Sequence, residues 1–298
     1  DKALKGERKE LEALLASEDK RWTSIAGEIR EMRKTFGDDP ALGPRRSAFA
    51  DAPTGELMPV EAMVEKEPIT VVCSDKGWLR ALRGHVEEGH DVRYKDGDKG
   101  RFWLHAQSTD KLVVFATNGR FYTLSCDKLP GGRGNGEPVR LLLDLANDQE
   151  IVNLMVHDPE RKLLVASSDG RGFVVEETAT VAQTRGGRQV LNVSGDVEAA
   201  VCATVQGDHV AVVGENHKML IFPLSELPEM NRGRGVVLQR FRDGGLSDAK
   251  TMTPGEGLTW RQGGGRTRTE TDLEMWLGKR GQAGRLAPKG FPKNHKFG

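Results

Sequence analysis

The chain repeats one pattern of apolar and polar positions: a short apolar stretch, a polar turn that carries Gly or Asn, and a second apolar stretch. The copies are 71–78, 113–120, 164–171, 211–218 and 258–265. In the fourth copy His217 stands where a turn glycine is expected, and the fifth has a run of glycines there. Asn-Gly or Asp-Gly between β-rich stretches supplies the positive φ that a tight hairpin requires. Each copy therefore predicts one β-hairpin.

The hairpins recur at the period of a propeller blade. The turn positions 77, 119, 170, 217 and 264 are separated by 42, 51, 47 and 47 residues. Repeats of this length are typical of four-stranded blades. The pattern predicts a mainly β fold, a five-bladed β-propeller-like pinwheel over residues 60–298, preceded by an α-helical coiled-coil segment.

Residues 1–36 predict one helix, because apolar residues recur with the alternating spacing of a coiled-coil seam, interrupted by Arg8 and Glu18. The seam residues are Leu4, Leu11, Leu15, Trp22, Ile25, Ile29, Met32 and Phe36. Gly37 and Pro40 are expected to end the helix. A seam this short needs a partner helix, from an upstream segment or from a second subunit.

Residues 37–59 predict a linker, because this stretch contains four prolines and none of the repeated pattern. We expect the domain boundary near residues 57–60. The predicted organisation is a helical arm end at 1–36, the linker at 37–59 and the β-pinwheel at 60–298.

A second motif travels with the hairpins, a Gly/Arg cluster about 16 residues after each turn, at 131–136, 184–188, 231–235 and 278–285. The first repeat has only the acidic segment 87–91 at that place. Glycines allow close backbone approach and anion-binding amides, while guanidinium groups bind phosphate oxygens in pairs. None of the clusters matches GxxxxGK[ST], which argues against a nucleotide P-loop. The candidate phosphate contacts are Arg133, Arg185, Arg188, Arg232, Arg234, Lys279, Arg280 and Arg285.

The formal net charge is zero, but residues 228–298 contain 14 Lys and Arg against seven Asp and Glu. Such segregation is typical of a polyanion-binding face, although a solvated basic tail is the alternative. Cationic loops repeated around a disc predict a duplex bent around the rim, with salt-sensitive and largely sequence-independent binding.

Other chemistry is not indicated by the sequence. Cys73, Cys126 and Cys202 lie in apolar strand contexts without CxxC spacing, which predicts buried, reduced, structural cysteines. The seven histidines show no HExxH or other paired spacing. We therefore expect no catalytic set and no metal site, and no apolar run approaches the roughly 18 residues of a membrane helix.

Three stretches resemble the C-terminal part of the A subunit of bacterial type IIA topoisomerases. They are the helix end at 25–38 with Arg45, Arg46 and Ser47, the repeated hairpins with clusters such as 133–139, and the ending 276–285 through 290–293. No cluster matches the QRRGGKG box of the gyrase members, so the chain is more similar to topoisomerase IV.

This resemblance implies a DNA-binding and DNA-bending C-terminal domain that captures the transported segment for decatenation and supercoil relaxation. The alternatives are a gyrase-type wrapping domain and a propeller-like scaffold that recruits acidic proteins. The family's active-site tyrosine belongs to an upstream domain, so the chain alone is not expected to cleave DNA. The resemblance implies an A-subunit homodimer with an ATPase (B) subunit, dependence on Mg²⁺ and ATP in the holoenzyme, and a cytoplasmic, nucleoid-associated location away from membranes.

Overall fold

The computed structural model describes residues 1–37, 39, 65–88, 92–131, 134–262 and 265–298. The chain divides into two compact units, Asp1–Leu57 and Met58–Gly298. Apart from residues 37 and 39, the predicted linker and its boundary lie outside the described residues, so that prediction stays a prediction.

The first unit contains two helices, α1 (Lys2–Ala16) and α2 (Glu18–Phe36), so the prediction of one continuous helix is wrong at Ser17. Ser17 is extended, with φ −125° and ψ 120°, and its hydroxyl accepts a hydrogen bond from the backbone N–H of Lys20 at 3.4 Å. A serine cap followed by acidic residues favours a new helix start, and this local signal wins over the heptad pattern. The helix end was predicted correctly, because Gly37 caps α2.

The eight apolar seam residues are all exposed, with exposed fractions between 42% and 71%. Within the described residues no helix has both the length and the apolar character needed to cross a bilayer. The seam residues therefore have no covering partner in the described part of the chain, and the predicted partner helix remains untested.

The second unit is built almost entirely from short strands. In chain order they are β1 (Pro68–Ser74), β2 (Trp78–Arg83), β3 (Gly100–Gln107), β4 (Lys111–Ala116), β5 (Arg120–Ser125), β6 (Glu137–Pro138), β7 (Ile151–Val156), β8 (Lys162–Ser167), β9 (Arg171–Glu176), β10 (Arg188–Gln189), β11 (Ala199–Thr204), β12 (His209–Gly214), β13 (Lys218–Pro223), β14 (Val236–Val237), β15 (Leu246–Met252), β16 (Leu258–Arg261), β17 (Thr267–Glu270) and β18 (Arg285–Leu286). One four-residue helix, α3 (Val139–Leu142), follows β6.

The strands form five antiparallel sheets in the described residues, which confirms the mainly β, five-bladed, pinwheel-like architecture. The orders are β3-β1-β2-β6, β10-β5-β4-β7, β11-β8-β9-β14, β15-β12-β13-β18 and β16-β17, and we number the sheets first to fifth in that sequence. The innermost strands β3, β7, β11 and β15 line a central cavity of about 980 Å³ together with the fifth sheet.

The predicted hairpin turns are confirmed wherever the structure describes them. Gly77, Gly119, Gly170 and His217 have φ values of 78°, 72°, 80° and 59°. Glycine adopts this left-handed region freely, whereas His217 does so against the usual preference of a residue with a Cβ. Position 264, the fifth predicted turn, lies outside the described residues.

Each of the first four sheets receives its outermost strand from the repeat that follows it. Strand β6, for example, comes after the second hairpin β4–β5 in sequence but pairs with β2 of the first sheet. The residue after each outermost strand donates its backbone N–H to the carbonyl of the preceding turn residue at 2.8–3.2 Å, in the pairs Val139–Gly77, Val190–Gly119, Leu238–Gly170 and Ala287–His217. A neighbouring repeat thus completes every one of these sheets.

Apolar cores fill the spaces between successive sheets. On β4, Val114 packs in the core shared with the first sheet, whereas Val113 and Phe115 pack in the core shared with the third. Strands buried on both faces read as continuous apolar runs, which explains why the middle strands show little alternation. Cys73, Cys126 and Cys202 are free and buried, as predicted, and burial raises the pKa of Cys73 and of Cys126 to about 12.

Candidate nucleic-acid interface

The Gly/Arg clusters lie at the outer edges of the sheets, which we define as strands β6, β10, β14 and β18 with the loops that lead into them. The first residues of these strands are equivalent by register: Glu137 pairs with Leu79, Arg188 with Phe121, Val236 with Gly172 and Arg285 with Met219. The sequence prediction that the clusters occupy equivalent places is therefore correct. The first repeat has no preceding sheet to complete, which accounts for its lack of a cluster.

One glycine immediately before each outermost strand has a positive φ, between 70° and 81°, at positions Gly136, Gly187, Gly235 and Gly284. A Cβ at any of them would overlap atoms of the preceding sheet, such as the carbonyl oxygen of Gly172 next to Gly235. The sequence predicted that cluster glycines allow the backbone to approach a ligand. At these four positions the close approach is instead to a neighbouring strand, so sheet assembly explains the glycines.

Three candidate cations extend into solvent from the outer edges. Arg188 begins β10, Arg285 begins β18, and Lys279 lies in the loop that leads to β18; all three side chains are exposed. None of them forms an ion pair with a carboxylate in the described part of the chain. Their charges are available to a ligand in solution.

Arg185 and Arg232 are exposed but already make contacts within the protein. Arg185 donates Nε–H to the carbonyl of Leu142 at 3.1 Å and lies 3.9 Å from a carboxylate oxygen of Asp144. Arg232 donates Nε–H to the side-chain oxygen of Asn192 at 3.3 Å. Each contact uses only part of the guanidinium fork, so both residues retain free donors.

Arg234 is exposed and pairs with Asp169, at 3.2 Å from Nη2 to Oδ2. The same Asp169 lies 3.7 Å from Nε of Arg171. This one carboxylate partly neutralises two cations at the outer edge of the third sheet.

Arg280 differs from the other candidates because it is half-buried and clamps the backbone. Its Nε–H donates to the carbonyl of Glu226 at 3.0 Å and its Nη1 donates to the carbonyl of Val237 at 2.7 Å. The geometry gives this side chain a structural role in joining the fourth outer edge to the third. Arg133, the remaining candidate, lies outside the described residues.

A second row of cations was missed by the sequence reasoning. Arg120, Arg171 and Lys218 follow the turn residues directly and pair in register with Gln189, Val237 and Leu286 of the outermost strands. The signal was present in the sequence, as a basic residue right after three of the turns. Arg120 also donates Nη1–H to the carbonyl of Gly186 at 2.8 Å, which positions the loop before β10.

The first sheet has no cation at the position of Arg188 or at the position of Arg120. Glu137 occupies the place equivalent to Arg188, and Trp78 occupies the place equivalent to Arg120. Lys95 covers the Trp78 ring, with Nζ 3.4 Å from its centroid. The cationic rows therefore run over the second, third and fourth sheets and end at the first.

The central cavity is lined by charges of both signs. Burial raises the pKa of Asp248, which accepts hydrogen bonds from the backbone N–H groups of Ala249 and Phe297 at 2.9 and 2.8 Å. Burial also lowers the pKa of Lys250, whose Nζ donates to the carbonyl of Thr259 at 3.0 Å. Across the ranges that the structure describes, no three His, Cys, Asp or Glu residues are grouped to hold a metal ion. The outer edges of the second, third and fourth sheets, where exposed cations recur, are the better candidate for function.

A family model described as DNA gyrase C-terminal domain, beta-propeller, matches residues 110–158, 161–201 and 208–246. These three segments coincide with the hairpins of the second, third and fourth sheets and the strands beside them.

Curated relatives include the A subunits of DNA topoisomerase 4 from Caulobacter vibrioides, 42% identical over 300 residues, and from Rickettsia bellii, 40% identical over 288 residues. The alignments cover 98% and 96% of this chain. The chain spans 39% of the length of each of these two relatives.

Among solved structures, the Escherichia coli ParC C-terminal domain matches with a TM-score of 0.66 and 27% identity, over 76% of this chain and 96% of that one. A DNA gyrase A C-terminal domain matches with a TM-score of 0.56 and 19% identity, over 77% of this chain and 80% of that one. The second match speaks for the fold alone.

Proposed function

Because the chain belongs to the DNA gyrase C-terminal domain, beta-propeller family, and its relatives include A subunits of DNA topoisomerase 4, we propose that it binds and bends duplex DNA along its outer edges. The observation that carries this proposal is the recurrence of exposed cations at the outer edges of the second, third and fourth sheets. Arg188 and Arg285 occupy the same register position on the second and fourth sheets, each beside a glycine-containing loop.

Regularly spaced cations suit a polymer whose charge is also regularly spaced. Each phosphate that is neutralised releases counterions, so the affinity falls as salt rises, with a slope of about 0.9 per phosphate contact. Bending a duplex costs on the order of 1–6 kcal/mol, which contacts on several sheets together can offset. No helix described in the second unit is longer than four residues, so major-groove readout by a helix does not enter the proposal.

In the whole protein, this domain would capture the DNA segment that is transported during decatenation and supercoil relaxation. The whole protein would be an A-subunit homodimer joined to an ATPase (B) subunit, would use Mg²⁺ and ATP, and would act in the cytoplasm on the nucleoid. The subunit composition, the cofactors and the location are what the family implies for the whole protein. The relatives named topoisomerase 4 favour this assignment over a gyrase-type wrapping domain.

The test is binding to a linear mixed-sequence duplex over a range of salt concentrations. The set Arg185→Gln, Arg188→Gln, Arg232→Gln, Arg234→Gln, Lys279→Gln and Arg285→Gln removes the exposed cluster cations without adding negative charge. We expect weaker binding and a salt slope that is shallower by about one unit for each contact removed.

The matched control places Gln at Arg8, Arg21, Arg30, Arg33, Lys9 and Lys34, exposed cations of the helical unit, and makes the same change in net charge. It should leave the affinity and the slope close to those of the unchanged chain. Equal losses in the two sets would mean that net charge alone attracts DNA, and an unchanged slope in the cluster set would refute the outer-edge interface.

A further inference from the structure

The outer edges differ in how much of their positive charge the protein itself already uses. On the third sheet, Asp169 lies 3.2 Å from Arg234 and 3.7 Å from Arg171. A phosphate would have to compete with this carboxylate for both guanidinium groups. The first residue of the outermost strand there is Val236, which carries no charge.

On the second sheet, most of the cations already donate hydrogen bonds to backbone carbonyls. Arg120 donates to the carbonyl of Gly186, and Arg185 donates to that of Leu142. Arg188 is the one cluster cation of this edge that makes no hydrogen bond or ion pair within the described residues. This edge therefore presents to a duplex one cation without intramolecular contacts among the described residues, Arg188, and the remaining donors of Arg185.

On the fourth sheet, three cations are unengaged. The side chains of Lys218, Lys279 and Arg285 make neither a hydrogen bond nor an ion pair with any described residue. Lys218 pairs in register with Leu286, the residue next to Arg285, so two of these cations lie on adjacent strands at the same end of the sheet. Arg280 fixes the loop between them through the carbonyls of Glu226 and Val237.

The same edge also exposes apolar surface. Met275, Leu277 and Leu286 are 57%, 45% and 66% exposed, and Leu141 is the only other strongly exposed large apolar residue described in the second unit. A groove of about 230 Å³ is lined by Met275, Leu277 and Arg285. Exposed apolar groups mark contact surfaces, and proteins that bend DNA use such side chains beside cations against the duplex.

We propose that the fourth outer edge is the main anchor of the duplex, with Lys218, Lys279 and Arg285 as its phosphate contacts, the second sheet as an auxiliary contact, and the first sheet outside the footprint. This proposal rests on the proposed function and adds an order of importance among the sheets. It also adds Lys218 to the contact residues.

Three charge-matched double variants of the 298-residue chain test it. They are Lys279→Glu with Arg285→Glu on the fourth sheet, Arg232→Glu with Arg234→Glu on the third, and Arg83→Glu with Lys99→Glu on the first. All six side chains are exposed, so the fold should tolerate each change. Affinity for a linear mixed-sequence duplex is measured against salt, and circular dichroism verifies that each variant is folded.

We expect the fourth-sheet pair to weaken binding roughly tenfold or more and to reduce the salt slope by about two units. The third-sheet pair should have a smaller effect, and the first-sheet pair should bind like the unchanged chain. Lys218→Gln alone should reduce the slope by about one unit. Leu286→Ser should weaken binding without changing the slope, because it removes no charge.

The outcomes separate the two proposals. A larger loss in the third-sheet or first-sheet pair would overturn the fourth-sheet anchor and leave DNA binding by the outer edges intact. No loss in any of the three pairs would also overturn the fourth-sheet anchor, whereas the proposed function itself would be refuted only if the six-residue Gln set described above left affinity and salt slope unchanged as well. Binding by Leu286→Ser that equals binding by the unchanged chain would remove the apolar patch from the interface.

Discussion

Gly235 shows how strictly single residues are constrained where two repeats meet. Its φ is 74°, and a Cβ would overlap the carbonyl oxygen of Gly172 on the strand that receives β14. Gly195 also has a positive φ, 63°, but no atom lies within 4 Å of the place where its Cβ would be. The two glycines therefore separate backbone conformation from close packing.

Gly235→Ala should lower the free energy of unfolding by about 3 kcal/mol, through left-handed strain and steric overlap together. Gly195→Ala should cost about 1 kcal/mol from the strain alone. Chemical denaturation of the two variants measures the difference. Equal costs would mean that the neighbouring strand shifts without penalty.

Glu177 is a fully buried carboxylate that fastens the loop 157–161, between β7 and β8, to the end of β9. Its Oε1 accepts hydrogen bonds from the backbone N–H of Asp158 at 2.9 Å and from Nη2 of Arg161 at 3.0 Å, and it lies 2.9 Å from Nδ1 of His157. The hydrogen bond from Arg161 to Glu177 is the largest cause of the raised pKa of Arg161. Because Glu177 is buried and Arg161 is half-buried, removing either charge would leave the other without its counter-charge.

Glu177→Gln should destabilise the protein by about 3 kcal/mol, because it leaves the half-buried Arg161 without its counter-charge. The adjacent Glu176 is exposed, so Glu176→Gln should change stability by less than about 0.5 kcal/mol. Thermal unfolding of both variants at neutral pH makes the comparison. A small effect at Glu177 would show that a neutral hydrogen-bond acceptor is sufficient there.

The sequence predicted where the cluster cations lie, but not which of them make hydrogen bonds within the protein. Arg280 and Arg285 lie in the same cluster, yet only Arg280 is held by carbonyls, those of Glu226 and Val237. These acceptors lie 54 and 43 residues away along the chain. A sequence motif does not contain such distant partners, so the exposed and the structural arginines could not be distinguished before the structure.

At the scale of elements, the outermost strands are too short to be stable by themselves. Strand β14 has two residues, and the following residue, Leu238, is completely buried in the core between the third and fourth sheets. Its backbone N–H donates to the carbonyl of Gly170 at 2.8 Å. Burial of this one side chain therefore fixes the strand in place.

Leu238→Ala should destabilise the protein by about 2–5 kcal/mol and release the strand before it. Hydrogen exchange at Val236 and Val237 should become faster than in the unchanged protein. Leu286→Ala provides the control, because Leu286 is 66% exposed and its truncation should cost less than about 0.5 kcal/mol. Unchanged exchange at β14 would mean that its backbone hydrogen bonds suffice.

The hairpins were predictable because their turn residues are local, and every described turn has the expected positive φ. The completion of each sheet by the next repeat was not predictable, because a two-residue strand has no periodicity to detect. The break at Ser17 was missed for the opposite reason, since a heptad pattern continued across a capping signal that was visible in the sequence.

At the scale of the whole second unit, pH should act through His217. Its ring centroid lies 5.0 Å from that of His295 and 6.0 Å from that of Phe291. Burial, and secondarily the charge of His295, lower the pKa of His217. The unfolded chain therefore binds a proton at a higher pH than the folded chain does.

The free energy of unfolding should consequently fall as the pH decreases below about 6.5, the ordinary value for histidine. His217→Asn should make this decline less steep, since asparagine tolerates the left-handed backbone and does not titrate. Urea denaturation between about pH 5 and pH 8 measures both curves. Parallel curves would place the acid sensitivity elsewhere.

Because each outermost strand comes from the following repeat, this fold has consequences for folding during synthesis and for evolution. When the ribosome has synthesised one hairpin, the sheet that contains this hairpin still lacks its outermost strand. That strand is synthesised roughly one repeat later. The nascent domain should thus mature in overlapping steps from the first sheet onward. For the same reason, tandem duplication or loss of one internal repeat would still leave each sheet completed by the repeat that follows it, so the number of blades can vary in evolution without a new type of junction.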